Sequence, residues 1–337
     1  MRSPGRLPHR VWLLALLVAV VATPASAYLH FTYPVRGVMT ALKWPNGPVR
    51  WFARDRSATG VSATAMQTAT AAAFATWEAV PTATVGFSFV GFTGASPFAD
   101  DGLSVIGFES VPEEDRVLGS TGFTIDTQTG QIVEADIFIN STFQWSTVDG
   151  GDGSRFDLQS VLTHEIGHFI GLGHSLLGET SLLGPGSRRV LASSAVMFPI
   201  AFGRGNTLDR QLQPDDIAGV SVLYPSSGFT AATGRVRGRV RRNGAGIFGA
   251  HVVAFNAATG ELVAGFTLNR DGEFDIGGLA PGVYIVRAEP LDDAEIESFF
   301  DATDPVDANF GAAYADHLVV VTAGTQTPSV DIAVRAK

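Results

Sequence analysis

The residues best able to do chemistry are gathered in one short run, His164-Glu165-Ile166-Gly167-His168-Phe169-Ile170-Gly171-Leu172-Gly173-His174. The chain holds seven histidines, and three of them fall here. On a helix, His164 and His168 lie one turn apart on the same face, a spacing that lets two imidazoles hold one metal ion. Glu165 lies between them in sequence, with a carboxylate in reach of a water on that ion. His174 follows six residues after His168, and a continuous helix would carry it away. Gly171 removes that obstacle, because glycine adopts the left-handed conformation that ends a helix and turns the chain back. Three neutral imidazoles with a fourth position open are the donor set of a catalytic zinc site, not of a closed structural one. Such a site lowers the pKa of a coordinated water toward neutrality. A carboxylate in reach of such a water is placed to exchange a proton with it.

A helix over Phe156 to Gly171 must carry the first two histidines. Asp157 is a suitable N-cap, and Leu158, Val161, Leu162, Ile166, Phe169 and Ile170 form the apolar stripe that docks it. Upstream, Val49 to Ala53 reads as a strand, Ser62 to Glu78 as a helix, and Val85 to Val90 and Ser104 to Phe108 as further strands. Ser120 to Ile125 and Ile132 to Asn140 pair across Asp126 to Gly130, and the second of them is expected at the sheet edge near the cleft. Residues 28–43 read as irregular, with His30 at the surface and not a ligand. Residues 175–195 read as a Gly- and Ser-rich loop ending at Ala195-Val196-Met197-Phe198-Pro199. A last helix follows from Gln213 to Tyr224, with Pro214 in its first turn and Asp215 and Asp216 at the favourable end of its dipole. Asp100 and Asp101 are candidates for Ca2+, and Glu134 and Asp136 for ordering a loop or an ion, although no complete calcium-loop pattern is present.

Composition bounds the rest. With 337 residues, 45% of them hydrophobic and 17% charged, the chain is globular and long enough for two cores. A net charge of −10 argues against nucleic acid and anionic membrane as partners. Residues 1–27 read as a signal peptide: Arg2, Arg6 and Arg10, then an apolar run from Val11 to Ala22, then Ala25-Ser26-Ala27 for cleavage. That run is too short to span a membrane comfortably, and no later segment spans one. The expected location is secreted and extracellular, with Tyr28 as first mature residue. There are no cysteines, hence no disulfide framework and no thiolate to block a zinc ion.

HEIGHFIGLGHS, then AVMFP, then LQPDDIAGVSVLYP, together with LKW, AFATW and ADIFIN upstream, resemble the catalytic domain of the matrixins, the matrix-metalloproteinase-like branch of the metzincin zinc peptidases. The resemblance covers roughly residues 40–225. It implies an α+β fold, a twisted mixed sheet of about five strands with three helices. It also implies His164, His168 and His174 as ligands of one catalytic zinc and Glu165 as general base. Met197 would lie in a tight turn beneath the metal, and Phe198, Pro199 and Ile200 would line the pocket for the residue after the scissile bond. Animal matrixins add a structural zinc held largely by histidines, but here no histidine lies between His30 and His164. The latency segment of the family, with its cysteine, has no counterpart either.

Ser226-Ser227-Gly228 opens a linker, 226–232, between a domain of residues 28–225 and a second of residues 233–337. In the second, short strands alternate with Asn243-Gly244, Thr259-Gly260, Asp271-Gly272 and Pro281-Gly282 turns, the spacing of an all-β sandwich. GAGIFGAHVVAF and DGEFDIGGLAPGVYIVRA resemble the carboxypeptidase regulatory-like, transthyretin-type domain, an accessory module without catalytic residues. Arg235, Arg237, Arg239, Arg241 and Arg242 alternate along one strand and read as a solvated face, with an anion or glycan site as the alternative. Loop 291–316 is long and acidic. The function expected is therefore a secreted zinc endopeptidase acting on proteins or peptides. The alternative is an adhesion or matrix-binding protein whose sandwich holds a surface or polymer.

Overall fold

The computed structural model describes residues 29–184 and 187–337; the expected signal peptide lies outside them. The first domain begins with a hairpin, β1 (Thr32–Val35) and β2 (Val38–Ala41), where an irregular segment was expected. Arg36 and Gly37 both take positive φ, the two-residue turn whose twist suits a hairpin. Arginine is an unusual occupant of that conformation, so the turn is hard to see in sequence.

The central sheet combines β3 (Val49–Arg54), β4 (Phe87–Thr93), β5 (Val105–Glu109), β6 (Gly119–Asp126) and β7 (Gln131–Asn140) in the order β4-β3-β5-β7-β6. Only the β6–β7 pair is antiparallel, so this is the mixed five-stranded sheet the resemblance implies. The edge assignment changes: β7 is interior, and β6 is the edge. The run Ala135–Asn140 is buried at every position. A strand covered on both faces belongs inside a sheet.

Two helices pack on each other and on this sheet. Helix α1 (Ala63–Glu78) is capped by Ser62, whose hydroxyl accepts the Ala65 N–H. Helix α2 (Leu158–Phe169) is capped by Asp157, whose carboxylate accepts the Ser160 N–H at 2.8 Å. Two short strands, β8 (Trp145–Ser146) and β9 (Phe156–Asp157), pair just before α2. Leu158, Leu162, Ile166 and Phe169 are wholly buried, each worth roughly 1.5–3 kcal/mol of burial. Backbone carbonyls along α2 and at its C-terminal end find large side chains. The Trp77 indole donates to Thr163 O at 2.9 Å, Trp44 to Phe169 O at 2.8 Å and the Tyr224 hydroxyl to Ile170 O at 2.7 Å. The latter two fill acceptors that a helix end leaves open, and they fix where the histidine-bearing helix stops.

Residues 175–195, expected as a loop, contain a second hairpin, β10 (Gly178–Gly184) and β11 (Ser187–Ser193). Helix α3 (Pro214–Leu223) follows with Pro214 in its first turn as expected. The segment 226–232 is not extended: it holds α4 (Phe229–Ala232), and Ser226 N donates to Thr82 O.

The remainder is two sheets face to face. One joins β12 (Gly234–Arg242), β13 (Ala245–Gly246), β16 (Glu273–Leu279) and β20 (Val330–Ala333). The other joins β14 (His251–Asn256), β15 (Leu262–Phe266), β17 (Gly282–Glu289), β18 (Ala313–Tyr314) and β19 (Val319–Val321). Their inner faces make one apolar cluster, as a sandwich requires. The alternating arginines of β12 meet acids: Arg235 and Arg237 meet Asp275, Arg239 meets Glu273, and Arg242 meets Asp307. Those pairs favour the solvated-face reading over an anion site.

The two domains do not merely touch. Leu177 and Ala195 pack with Val253 and Ala264, and Leu176 and Phe198 with Phe266, Leu291 and Phe300. Ala218 of α3 belongs to the sandwich core.

Candidate metal centre and cleft

Helix α2 delivers His164 and His168 on one face, and the chain turns back at Gly171, whose φ is +100°. A Cβ there would come within 2.3 Å of Leu42 O, so the position needs glycine for space as well as for conformation. The turn is pinned by the N-terminal segment: Phe31 N donates to Gly171 O at 3.0 Å, and Gly173 N to Leu29 O at 2.5 Å. His30, expected at the surface, is buried between them, its Nε2 3.4 Å from Gly219 O, and burial lowers its pKa to about 4. It stands outside the metal-holding group.

The three histidines converge, with ligand atoms all within 4.8 Å of one another. Each Nδ1 meets a backbone carbonyl: His164 that of Val196 at 2.7 Å, His168 that of Leu172 at 2.8 Å, His174 that of Ser298 at 2.6 Å. A carbonyl only accepts, so each Nδ1 carries the proton and each Nε2 presents a lone pair. The Nε2 atoms of His168 and His174 are 3.1 Å apart. Two lone pairs facing at that distance repel unless a cation lies between them. Tetrahedral ligands about 2.0–2.1 Å from zinc are about 3.3 Å apart, so the donor set fits zinc. Burial holds all three rings neutral: it lowers His164 to about 3, with His174 adding to the shift, and lowers His168 and His174 below their ordinary value. Neutral imidazole is the form that ligates.

Glu165 is buried beside them, and burial raises its carboxyl to about 7. The Thr121 hydroxyl, on edge strand β6, lies 2.7 Å from Oε2 and 3.0 Å from the Glu165 carbonyl. Gly119 leaves room for this side chain: a Cβ there would sit 3.2 Å from its Cγ and Oε1. Met197 is buried below α2. A Cβ on Gly167 would fall 2.2 Å from its sulfur and 3.0 Å from Trp77. A mid-helix glycine costs about 1 kcal/mol relative to alanine, and here it leaves room for the thioether against the helix backbone. Asp216 holds the turn: its carboxylate accepts the N–H groups of Val196 at 2.8 Å, Met197 at 3.1 Å and Gln213 at 2.9 Å. The sequence assigned Asp216 only a dipole role, and Thr121 and the three carbonyls none. Two adjacent acids opening a helix were the one hint.

The site opens into a cleft of about 910 Å³ lined by the three histidines, Glu165, and the Phe198, Pro199 and Ile200 wall. Glu134 and Asp136, considered for ordering a loop or an ion, both accept backbone N–H groups. Glu134 accepts the Gly102 N–H at 2.6 Å, and Asp136 those of Phe98 at 2.9 Å and Val105 at 2.7 Å. These bonds order the loop before β5. Among the described residues, the three histidines are the group that could hold a metal ion.

Fold and site together define a class: an α+β domain with a three-histidine metal centre and a carboxylate at its side, followed by a β-sandwich. Residues 43–225 match the family model described as Matrixin, and residues 235–335 that of the carboxypeptidase regulatory-like domain. Metalloendoproteinase 1-MMP of Arabidopsis thaliana is 34% identical over 113 residues, 33% of this chain and 25% of that protein. The match thus spans a quarter of the relative's length. The chain belongs to the matrixin family.

Proposed function

We propose that the chain is a zinc-dependent endopeptidase that is exported and hydrolyses peptide bonds of protein substrates. The observation that carries this reading is the set of three Nδ1–carbonyl bonds, which leaves three Nε2 lone pairs converging beside the Glu165 carboxyl. His164, His168 and His174 would hold the ion. Zinc there supplies Lewis acidity, polarising a carbonyl and making a water acidic near neutral pH. Glu165, held by Thr121, accepts the proton of the attacking water and returns it to the amine nitrogen as the C–N bond breaks. Burial raises the Glu165 carboxyl in the metal-free site, and a bound cation beside it would draw it back toward the ionised form that takes a proton.

The test compares parent and Glu165→Ala chains for zinc content and for cleavage of casein or gelatin, with and without a chelator. The parent should carry about one zinc per chain and lose activity on chelation, as one catalytic site requires. Glu165→Ala should keep the zinc and lose nearly all turnover. Full activity in that variant would sink the mechanism.

Export rests on residues 1–27 alone. N-terminal sequencing of the protein from culture medium should find Tyr28; an intact Met1 in a cell-bound chain would refute export.

A further inference from the structure

Two of the three ligand histidines are oriented from within their own domain: Val196 and Leu172 belong to the polypeptide that builds the cleft. The third is not. His174 Nδ1 meets Ser298 O, 124 residues away, in the sandwich domain's long acidic loop. We infer that residues 295–299 are a working part of the peptidase site: the Ser298 carbonyl positions His174, and the Phe299 ring supplies one wall of the substrate cleft, selecting a large apolar side chain. This inference rests on the peptidase reading and assigns to the sandwich a role that its own strands do not have.

The loop is held where it lies. Leu291, Ala294 and Phe300 are buried in one cluster with Leu176 and Phe198 of the first domain. Thr180 of β10 donates its N–H to Asp293 Oδ1 at 3.1 Å and its hydroxyl to Asp293 O at 2.8 Å. Arg188 of β11 donates to Glu295 Oε1 at 3.1 Å and to Asp292 O at 3.0 Å. A single 3-10 turn, Ile296–Ser298, then aims the Ser298 carbonyl at the ring. The β10–β11 hairpin thus acts as a bracket for the sandwich loop.

Phe299 is half-buried, its ring centroid 6.1 Å from that of His174 and 5.5 Å from that of Phe266. Phe299 and Ile200 pack on the same apolar cluster, which contains Phe198. Ser298, Phe299 and Glu295 line the cleft together with all three histidines and Glu165. The loop therefore walls the site and does not plug it. An apolar wall rejects charged side chains through their desolvation cost and retains large apolar ones through contact area.

The experiment uses the full chain in three forms: parent, a form with residues 295–299 replaced by glycine and serine, and Phe299→Ala. Zn2+ affinity is measured on metal-free protein by competition with a chromophoric chelator, so this readout does not depend on turnover. Glycine and serine keep a carbonyl at position 298 but lose the side chains that hold the turn in place, so that carbonyl is no longer fixed against His174. Zinc binding should weaken by about tenfold or more in the replaced form, beyond a modest drop in metal-free melting temperature from the lost Ile296 and Phe299 packing. Phe299→Ala should keep parental zinc affinity. On peptides varied at each position around the scissile bond, it should lose about tenfold of the preference for aromatic over small side chains at one position, as expected for a lost pocket contact. Parental zinc affinity in the replaced form overturns the positioning role, and an unchanged cleavage preference in Phe299→Ala overturns the wall. If the replaced form does not fold, the Phe299→Ala preference decides alone. A parent that binds no zinc is a different result: it overturns the peptidase reading and this inference with it.

Discussion

Two concentrations of charge, the Asp215-Asp216 pair of α3 and the arginine stripe of β12, look alike in the sequence and behave oppositely in the fold. The two aspartates are buried. Asp216 gathers three backbone N–H groups beneath the metal centre. Asp215 bridges the domain seam, taking the Ser175 hydroxyl at 2.6 Å and the Ala264 N–H at 2.8 Å. Arg239 and Arg242 lie part-exposed along their strand and meet acids that are part-exposed too, Glu273 and Asp307. A buried charge must be fully hydrogen-bonded, so its partners are fixed in place. An exposed pair is optional, since water can replace either partner. Burial, not clustering, decides which charges organise a site.

The largest effect that would sharpen this contrast is expected from Asp216→Ala. It leaves three backbone donors without acceptors around the Met197 turn. Each unsatisfied buried donor costs about 1–3 kcal/mol, so a loss on the order of 3–5 kcal/mol follows after partial relaxation. Denaturant unfolding of the two chains measures it. Zinc affinity should fall as well, because Val196 O orients His164. A loss below about 1 kcal/mol would place Asp216 among the optional charges of the kind β12 carries.

A smaller effect is expected from pH. Burial, and then the charge of Asp216, raise the Asp215 carboxyl from 3.8 to about 7. The folded state therefore binds the proton more tightly than the unfolded chain does. The stabilisation that follows is fully present below about pH 3.8 and is lost as pH rises through about 7. Asp215→Asn is neutral throughout and retains an oxygen for Ala264. Its melting temperature should gain on the parent's between pH 5 and pH 8, by most at pH 8. A constant difference across that window would mean that Asp215 keeps the same charge in the folded and unfolded chain.

The same distinction explains what was legible in the sequence. His164, His168 and His174 were visible because their spacing is tied to helix geometry and to one glycine, all local. The helices and strands of the first domain's core were visible through periodicity, and their arrangement as a mixed sheet through the matrixin resemblance. What lay hidden was set by partners far along the chain. The edge position of β6 depends on how many neighbours β7 has. The burial of His30 depends on the turn at Gly171. The Ser298 contact depends on a second domain. The β10–β11 hairpin was missed because glycines and serines read as loop when the pairing partner is unknown. Gly167 was legible as part of a motif, but its reason, the Met197 sulfur, comes from thirty residues downstream.

The smallest effect should come from the stripe itself. Arg239 donates to Glu273 Oε1 through Nε at 3.1 Å and Nη2 at 2.5 Å. Asn269 Nδ2 also donates to that carboxylate, at 3.1 Å. When Arg239→Ala removes the guanidinium, Glu273 keeps the amide and water solvates the rest, so no group is stranded. The melting temperature should move by no more than about 3 °C, and the difference should shrink in high salt as screening weakens the pair in the parent. The Arg239 hydrogen bonds are the leading reason the Glu273 carboxyl lies below its ordinary value. What they contribute is therefore present above the unfolded pKa and lost as pH falls through the lower, folded one. A large, salt-independent loss in Arg239→Ala would mean that β12 holds its charges as rigidly as α3 does, and the contrast between the two regions would rest on sequence position alone.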